Sequence, residues 1–211
     1  MVYNEDNAQF WEDIYLEDDA GWDLGGVTPV FDAIADNIKP GKVCIIGCGR
    51  GYDAVMFARK GFDVTAVDFA PSAIQTLKAL AKESKVSINA IQNNIFNLLP
   101  KYNGQFDYVI EQTCFCAIHP THRKKYERLV YKILQLGGQL IGLWFPLYKI
   151  LAYEFTNWGT TVGEVKRFFF SGWAVEEESF SELSIKPRRG REKLSLIHIS
   201  EPTRLLSIAC S

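Results

Sequence analysis

Val43-Cys-Ile-Ile-Gly47-Cys-Gly49-Arg-Gly51 is a short apolar run that breaks into glycine at alternate positions. Seventeen residues past Gly51, a second apolar run, Val64-Thr-Ala-Val67, ends in Asp68. A buried strand, a glycine turn, a helix and a second strand tipped by an acid make half of a nucleotide-binding unit. Glycine lets the backbone bend sharply and lets a ligand lie against it, because no Cβ intervenes. The carboxylate can accept two hydrogen bonds from a ribose diol.

Spacing narrows the nucleotide. A dinucleotide fingerprint wants Gly-x-Gly-x-x-Gly, so that a pyrophosphate can rest on the helix N-terminus. Gly47 and Gly49 fit, but the third position is Tyr52, and the extra glycine falls at Gly51. Gly-x-Gly-x-Gly followed by a ribose-binding acid is the pattern of S-adenosylmethionine enzymes, whose ligand carries no phosphate. A tight strand-to-helix turn would also explain the glycines without any ligand; the placement of Asp68 favours the ligand.

With 211 residues the chain suits one domain with a full core. Its net charge of −2 leaves no electrostatic footprint for nucleic acid or an anionic membrane. The basic run Lys186-Pro-Arg-Arg-Gly-Arg-Glu-Lys193 reads as a solvated turn before a strand. No apolar run approaches the ~20 residues that span a bilayer, and Met1 to Asp19 is acidic and amphipathic rather than a secretory leader. Five cysteines, including Cys44, Cys48, Cys114 and Cys116, form no disulfide or zinc pattern and read as reduced, small apolar residues.

Along the chain, Asn7–Asp18 has helical spacing of Phe10, Trp11, Ile14 and Tyr15. Thr28-Pro29 starts a second helix, with the hydroxyl at the cap. Strand and helix then alternate: strands at 42–46, 63–67, 87–92 and 106–111, helices at 52–60, 71–82 and 121–134. Gly137-Gly138 turns into a strand at 139–145, a helix covers 162–170, strand follows at 173–183, and the last strand spans 192–199. The alternation predicts an α/β fold, a mostly parallel sheet with helices on both faces.

Phe10-Trp11-Glu-Asp-Ile-Tyr15, Gly21-Trp22-Asp23, the glycine turn, Val67-Asp68, Asn94-Ile95-Phe96 and the run Phe106 to Ile118 occur in one order. So ordered, with Arg123-x-x-Tyr126 and Ser184 to Lys193, the chain resembles the thiopurine methyltransferase-like branch of class I methyltransferases. That branch also contains halide and thiol methyltransferases. The resemblance implies a Rossmann-like, seven-stranded sheet with its last strand antiparallel, and S-adenosylmethionine as cofactor. It places Trp11, Tyr15 and Trp22 over the cofactor, where a sulfonium is attracted to a π face. Gly47 and Gly49 fall at the backbone approach, Asp68 at the ribose, Asn94 and Ile95 at the adenine edge, and Gln112 near the sulfonium. Asn94 departs from the family, which commonly has Asp there; its carbonyl oxygen can still meet an exocyclic amine.

No catalytic residue is assigned. His119 and His122 read as surface or capping residues, Glu111 as an acid that orients the loop, and Arg123 and Tyr126 as structural. Where the family has a Gly-Pro-Pro-Phe-like segment, this chain has an aromatic stretch from Pro146 to Val162, holding Tyr148, Tyr153, Phe155 and Trp158. It reads as an apolar lid over a bulkier acceptor. The expected protein is a cytoplasmic, monomeric methyltransferase acting on a small molecule, a thiol or halide, with no nucleic-acid, membrane or metal partner. An NAD(P)-dependent oxidoreductase and a non-catalytic adenosylmethionine-binding protein are the alternatives. The resemblance stops near Leu194, so residues 1–194 read as the domain and 195–211 as a foreign tail, with Leu196 and Ile199 still acceptable as strand residues.

Overall fold

A computed structural model describes residues 7–147 and 158–200. The lid residues Tyr148, Tyr153 and Phe155, and the tail beyond Ser200, lie outside the described residues. Seven strands of the described chain form one sheet: β1 Lys42–Ile46, β2 Asp63–Asp68, β3 Asn89–Gln92, β4 Phe106–Gln112, β5 Leu134–Trp144, β6 Trp173–Ser179 and β7 Lys193–Ile199. Their order is β3-β2-β1-β4-β5-β7-β6. Neighbours from β3 through β5 are parallel, and β7 runs antiparallel to both β5 and β6.

The parallel strands are buried on both faces, as their unbroken apolar runs require: β1 is exposed only at Lys42. One face is covered by α2 Pro29–Asn37, α3 Tyr52–Arg59 and α4 Pro71–Glu83, through Phe31, Phe57 and Leu77. The other is covered by α6 Arg123–Ile133 and α7 Val162–Phe168, through Tyr126, Ile133 and Val165. Each fully buried large apolar side chain contributes about 1.5–3 kcal/mol. Near the N-terminus, α1 Ala8–Leu16 docks on α4: Glu12 accepts from the Ser72 backbone N–H at 2.9 Å and its hydroxyl at 2.8 Å. Its carboxylate thereby serves orphan donors in the first turn of α4.

Three local expectations are corrected. Pro120–His122 is a separate 3₁₀ turn, so the helix begins at Arg123 rather than Thr121. Gly137 and Gly138 lie inside β5, which starts at Leu134. A Cβ on Gly138 would meet the Gln135 carbonyl at 2.9 Å and the Phe106 carbonyl at 3.0 Å, and the β4–β5 register shifts beside it, between Phe106 and Tyr108. The glycines mark an irregularity within a strand rather than a turn before one. Thr28 holds the N-cap position of α2 without capping it. Its N–H and hydroxyl both go to Asp53, each at 2.8 Å.

Candidate active site

Strand order reverses between β1 and β4, with β2 and β3 on one side and β5 on the other. The carboxyl ends diverge there and leave a crevice. A cleft of about 530 Å³ opens at this point, within the range of small-molecule sites. Its floor is the turn after β1. Gly47, Gly49 and Gly51 have φ of +62°, +53° and +85°, a region L side chains rarely enter. A Cβ on Gly47 would come within 3.0 Å of Cys114, and one on Gly49 within 3.1 Å of the Tyr15 hydroxyl.

Asp68, at the end of β2, is buried. One carboxylate oxygen accepts from the Gly49 N–H at 2.8 Å, the other from the Ala70 N–H at 3.0 Å. Burial pushes its pKa up, and these backbone N–H groups act against the shift. The acid thus braces the glycine turn, and each oxygen keeps a further lone pair for a ligand.

A roof of three aromatic rings lies over this end. Trp11 and Tyr15 of α1 each meet Trp22 edge-to-face, at centroid separations of 5.6 and 5.8 Å. Trp22 Nε1 donates to the Tyr15 hydroxyl at 3.2 Å. Burial pushes the Tyr15 phenol well up, so it stays neutral. Arg50, from within the glycine turn, reaches Asp18 at 2.6 Å and Asp23 at 2.8 Å, on either side of the roof segment.

Of the nine residues expected at the cofactor, Trp11, Tyr15, Trp22, Gly47, Asp68, Asn94 and Ile95 wall this cleft. Gly49 and Gln112 wall a smaller neighbouring cleft of about 60 Å³, which shares Tyr15, Trp22, Gly47 and Thr113 with the larger one. The Gln112 side chain lies beside Thr28, with Oε1 3.0 Å from Oγ1 and Nε2 without a hydrogen-bond partner among the described residues. Because the Thr28 proton goes to Asp53, the contact is satisfied with the amide turned so that its NH₂ donates to Oγ1. Asp53, in the same small cleft, is raised to about 6 by burial. Asn94 accepts from the Phe96 N–H at 2.9 Å and so caps the 3₁₀ turn Ile95–Asn97.

Beyond β4 and β5 the walls change character. Cys116, Ala117 and Ile118, from α5 Cys114–Ala117 and its end, face Phe145 and Pro146. Thr113 enters α5 with φ +60°, a conformation rare for a β-branched residue. Glu111 holds this helix from below: both oxygens accept from the Phe115 N–H, and the Tyr126 hydroxyl donates to it at 2.5 Å. Burial raises its carboxyl to about 7. Arg123 is structural as well, pairing with Glu164 at 2.5 Å, donating to the Gly159 carbonyl and lying over the Phe115 ring. His119 Nδ1 contacts the Thr121 hydroxyl at 2.7 Å. Burial pushes the Cys48 and Cys114 thiols well up, which keeps them protonated.

The sequence reading placed Pro146 at the acceptor but missed Asp19, Phe69 and Phe145, all at the cleft. Phe69 directly follows the acid and could have been found by that adjacency. Phe145 could not, because its place at the cleft depends on where β5 ends. The basic run before β7 needs correction too: Arg188 and Glu192 are buried rather than solvated, at 3% and 2% exposure.

A parallel sheet with an antiparallel β7, a glycine turn bracing an acid and a roofed crevice at the strand reversal define a class I methyltransferase. The chain belongs to the thiopurine S-methyltransferase family, whose model matches residues 6–201. It is a small-molecule methyltransferase that uses S-adenosylmethionine. A probable thiol methyltransferase 2 of Arabidopsis thaliana is 27% identical over 205 residues, covering 92% of this chain and 86% of the relative. Thiocyanate methyltransferase 1 of Brassica oleracea is 27% identical, covering 87% and 82%. In fold, the chain is similar to the 1,6-didemethyltoxoflavin-N1-methyltransferase of Burkholderia thailandensis, solved with S-adenosylhomocysteine (TM-score 0.74, 18% identity, 92% and 87% covered). No described helix is long and apolar enough to cross a membrane.

Proposed function

We propose that the chain methylates a small thiol or halide ion, as a cytoplasmic monomer with neither nucleic-acid nor membrane partners. The observation that carries this reading is the change of wall along one cleft: a turn, an acid and aromatic rings at one end, and Cys116, Ala117, Ile118 and Phe145 at the other. The names of the thiol and thiocyanate methyltransferase relatives support it.

The donor end fits S-adenosylmethionine. Gly47 and Gly49 give backbone approach, and Asp68 offers its remaining lone pairs to the ribose hydroxyls. Asn94 and Ile95 border the adenine, while Trp11, Tyr15 and Trp22 present π faces to the sulfonium, a contact worth about 0.5–2 kcal/mol. Gly49 and Gln112, in the small polar cleft beside it, meet the amino-acid end. The sulfonium supplies the methyl group. The chain's part is to hold the acceptor in line with it, which can supply ~7–11 kcal/mol. A thiolate or halide arrives already charged and needs no dedicated base, whereas an amine or alcohol usually does. Residues 1–194 form the catalytic domain in this reading. Ser195–Ile199, within the span that the family model matches, complete β7, their apolar pattern suiting a strand, and the residues after them are read as a foreign tail.

The test is methyl transfer from labelled donor to thiophenol, thiocyanate, iodide and small amines, in the parent and in Asp68→Ala. Transfer to thiol or halide that falls roughly ten- to hundredfold in the variant is expected, since a charge-assisted hydrogen bond contributes about 1.5–3 kcal/mol. Donor binding without transfer to any thiol or halide would leave the non-catalytic alternative standing, and an amine as sole acceptor would sink the thiol reading.

A further inference from the structure

Arg188 lies in the turn before β7 and is 3% exposed. Its Nη2 donates to the Trp22 backbone carbonyl at 2.6 Å, joining segments 166 residues apart. Its guanidinium carbon sits 4.5 Å from the centre of the Phe145 ring. Among the described residues Nη1 makes no hydrogen bond; it forms an ion pair with Glu192, itself 2% exposed, at 3.8 Å, too long for a hydrogen bond. Burying a guanidinium costs several kcal/mol unless its partners are excellent. A neutral carbonyl, a ring and one ion pair without a hydrogen bond are a modest return for folding alone, since replacing a buried ion pair by apolar side chains of similar volume is often neutral or stabilising.

The two good contacts are informative because of what they touch. Trp22 is the roof of the donor end, and Phe145, with Pro146, is the wall of the acceptor end. The other ties of the roof, Glu12 to Ser72 and Arg50 to Asp18 and Asp23, run to α4 and to the glycine turn, on the donor side. Arg188 reaches across. Resting on the donor-binding reading above, we infer that Arg188 is a positioning residue that fixes the Trp22 roof against the Phe145 wall, so that donor and acceptor meet in line. Arginine suits the task because one planar group can donate at its edge and stack on its face, which lysine cannot.

Two variants separate this role from mere packing. Arg188→Met keeps the apolar stem and deletes both contacts. Arg188→Lys keeps a donor for the Trp22 carbonyl and loses the planar face over Phe145. Calorimetry with S-adenosylhomocysteine reads the donor end, KM and kcat for thiophenol read the acceptor end, and hydrogen exchange reads residues 18–26 and 143–147. For Arg188→Met, binding of S-adenosylhomocysteine should weaken roughly tenfold, with a raised thiophenol KM, a lowered kcat and faster exchange in both segments. Arg188→Lys should restore binding to within about threefold of the parent while thiophenol KM stays raised. A methionine variant that melts earlier but binds and exchanges like the parent would overturn the inference. So would a lysine variant in which both ends recover or fail together. If the methionine variant does not fold, the split in the lysine variant decides. A parent that takes up no S-adenosylhomocysteine would refute the donor reading alone, and coupled exchange of the two segments would still judge Arg188.

Discussion

At the donor end of the cleft, Gly47 and Asp68 stand 21 positions apart within one strand-turn-helix-strand unit. At the acceptor end, Cys116, Phe145 and Arg188 come from three segments, and 72 positions separate the first from the last. The turn and acid at the heart of the donor end are joined by the Asp68 bond to the Gly49 N–H, 19 residues apart. The roof is tied over longer spans, 32 residues by Arg50–Asp18 and 60 by Glu12–Ser72. The acceptor end depends on β5 and β7, which follow one another in the sheet but not in the chain. A site that binds one invariant cofactor can be built from a compact local motif. A site for a variable acceptor is assembled where long-range segments meet, so it can change without disturbing the motif.

The severest way to break the acceptor side is to end the chain at Leu194. That removes Ser195–Ile199, which pair with β5 on one side and β6 on the other. Ile197 and Ile199 are buried, so the loss is about 3–6 kcal/mol from these two side chains alone. Thermal melting should show a midpoint lowered by about 10–20 °C, or no cooperative transition. An unchanged midpoint would mean that β7 is dispensable to the sheet. Whatever the origin of residues 195–199, the strand they complete supports the acceptor wall.

A smaller effect sharpens the same comparison through pH. The Glu111 carboxyl, raised from 4.5 to about 7 by burial, sits beneath α5 on the acceptor side. An acid raised on folding imposes no penalty below its unfolded pKa. Stability then falls as pH climbs from 4.5 to about 7, and the penalty is constant above that. Glu111→Gln abolishes the titration, so its stability relative to the parent should rise across this window by roughly 3 kcal/mol. Urea titrations at several pH values check this; a difference that stays flat with pH rules the mechanism out.

Much of the fold was legible because the signals were local. Val43–Gly51 and Val64–Asp68 carry their own strand, turn and acid, and the structure places them as β1, the turn and β2. Asn94 and Ile95 come just after β3 and line the cleft. What stayed hidden depends on partners remote in sequence. Gly137-Gly138 looks like a turn until the Phe106 carbonyl is seen beside it. Arg188 looks solvated among charged neighbours until Trp22 and Phe145 close over it. The contact of the Gln112 side chain with Thr28, which itself bonds Asp53, joins residues 84 positions apart and has no local signal.

The mildest perturbation tests whether the donor end is as locally self-sufficient as the comparison holds. Trp22→Phe keeps an aromatic face in the roof but deletes the indole N–H that reaches the Tyr15 hydroxyl at 3.2 Å. That neutral hydrogen bond is worth about 0.5–1.5 kcal/mol. S-adenosylhomocysteine binding should therefore weaken by only about three- to tenfold, with thiophenol KM unmoved. The roof is also tied by Glu12 to Ser72 and by Arg50 to Asp18 and Asp23, so the phenyl ring stays seated. A rise in thiophenol KM as large as that of Arg188→Met would show the ring itself, rather than the backbone carbonyl that Arg188 holds, to be the link between the two ends.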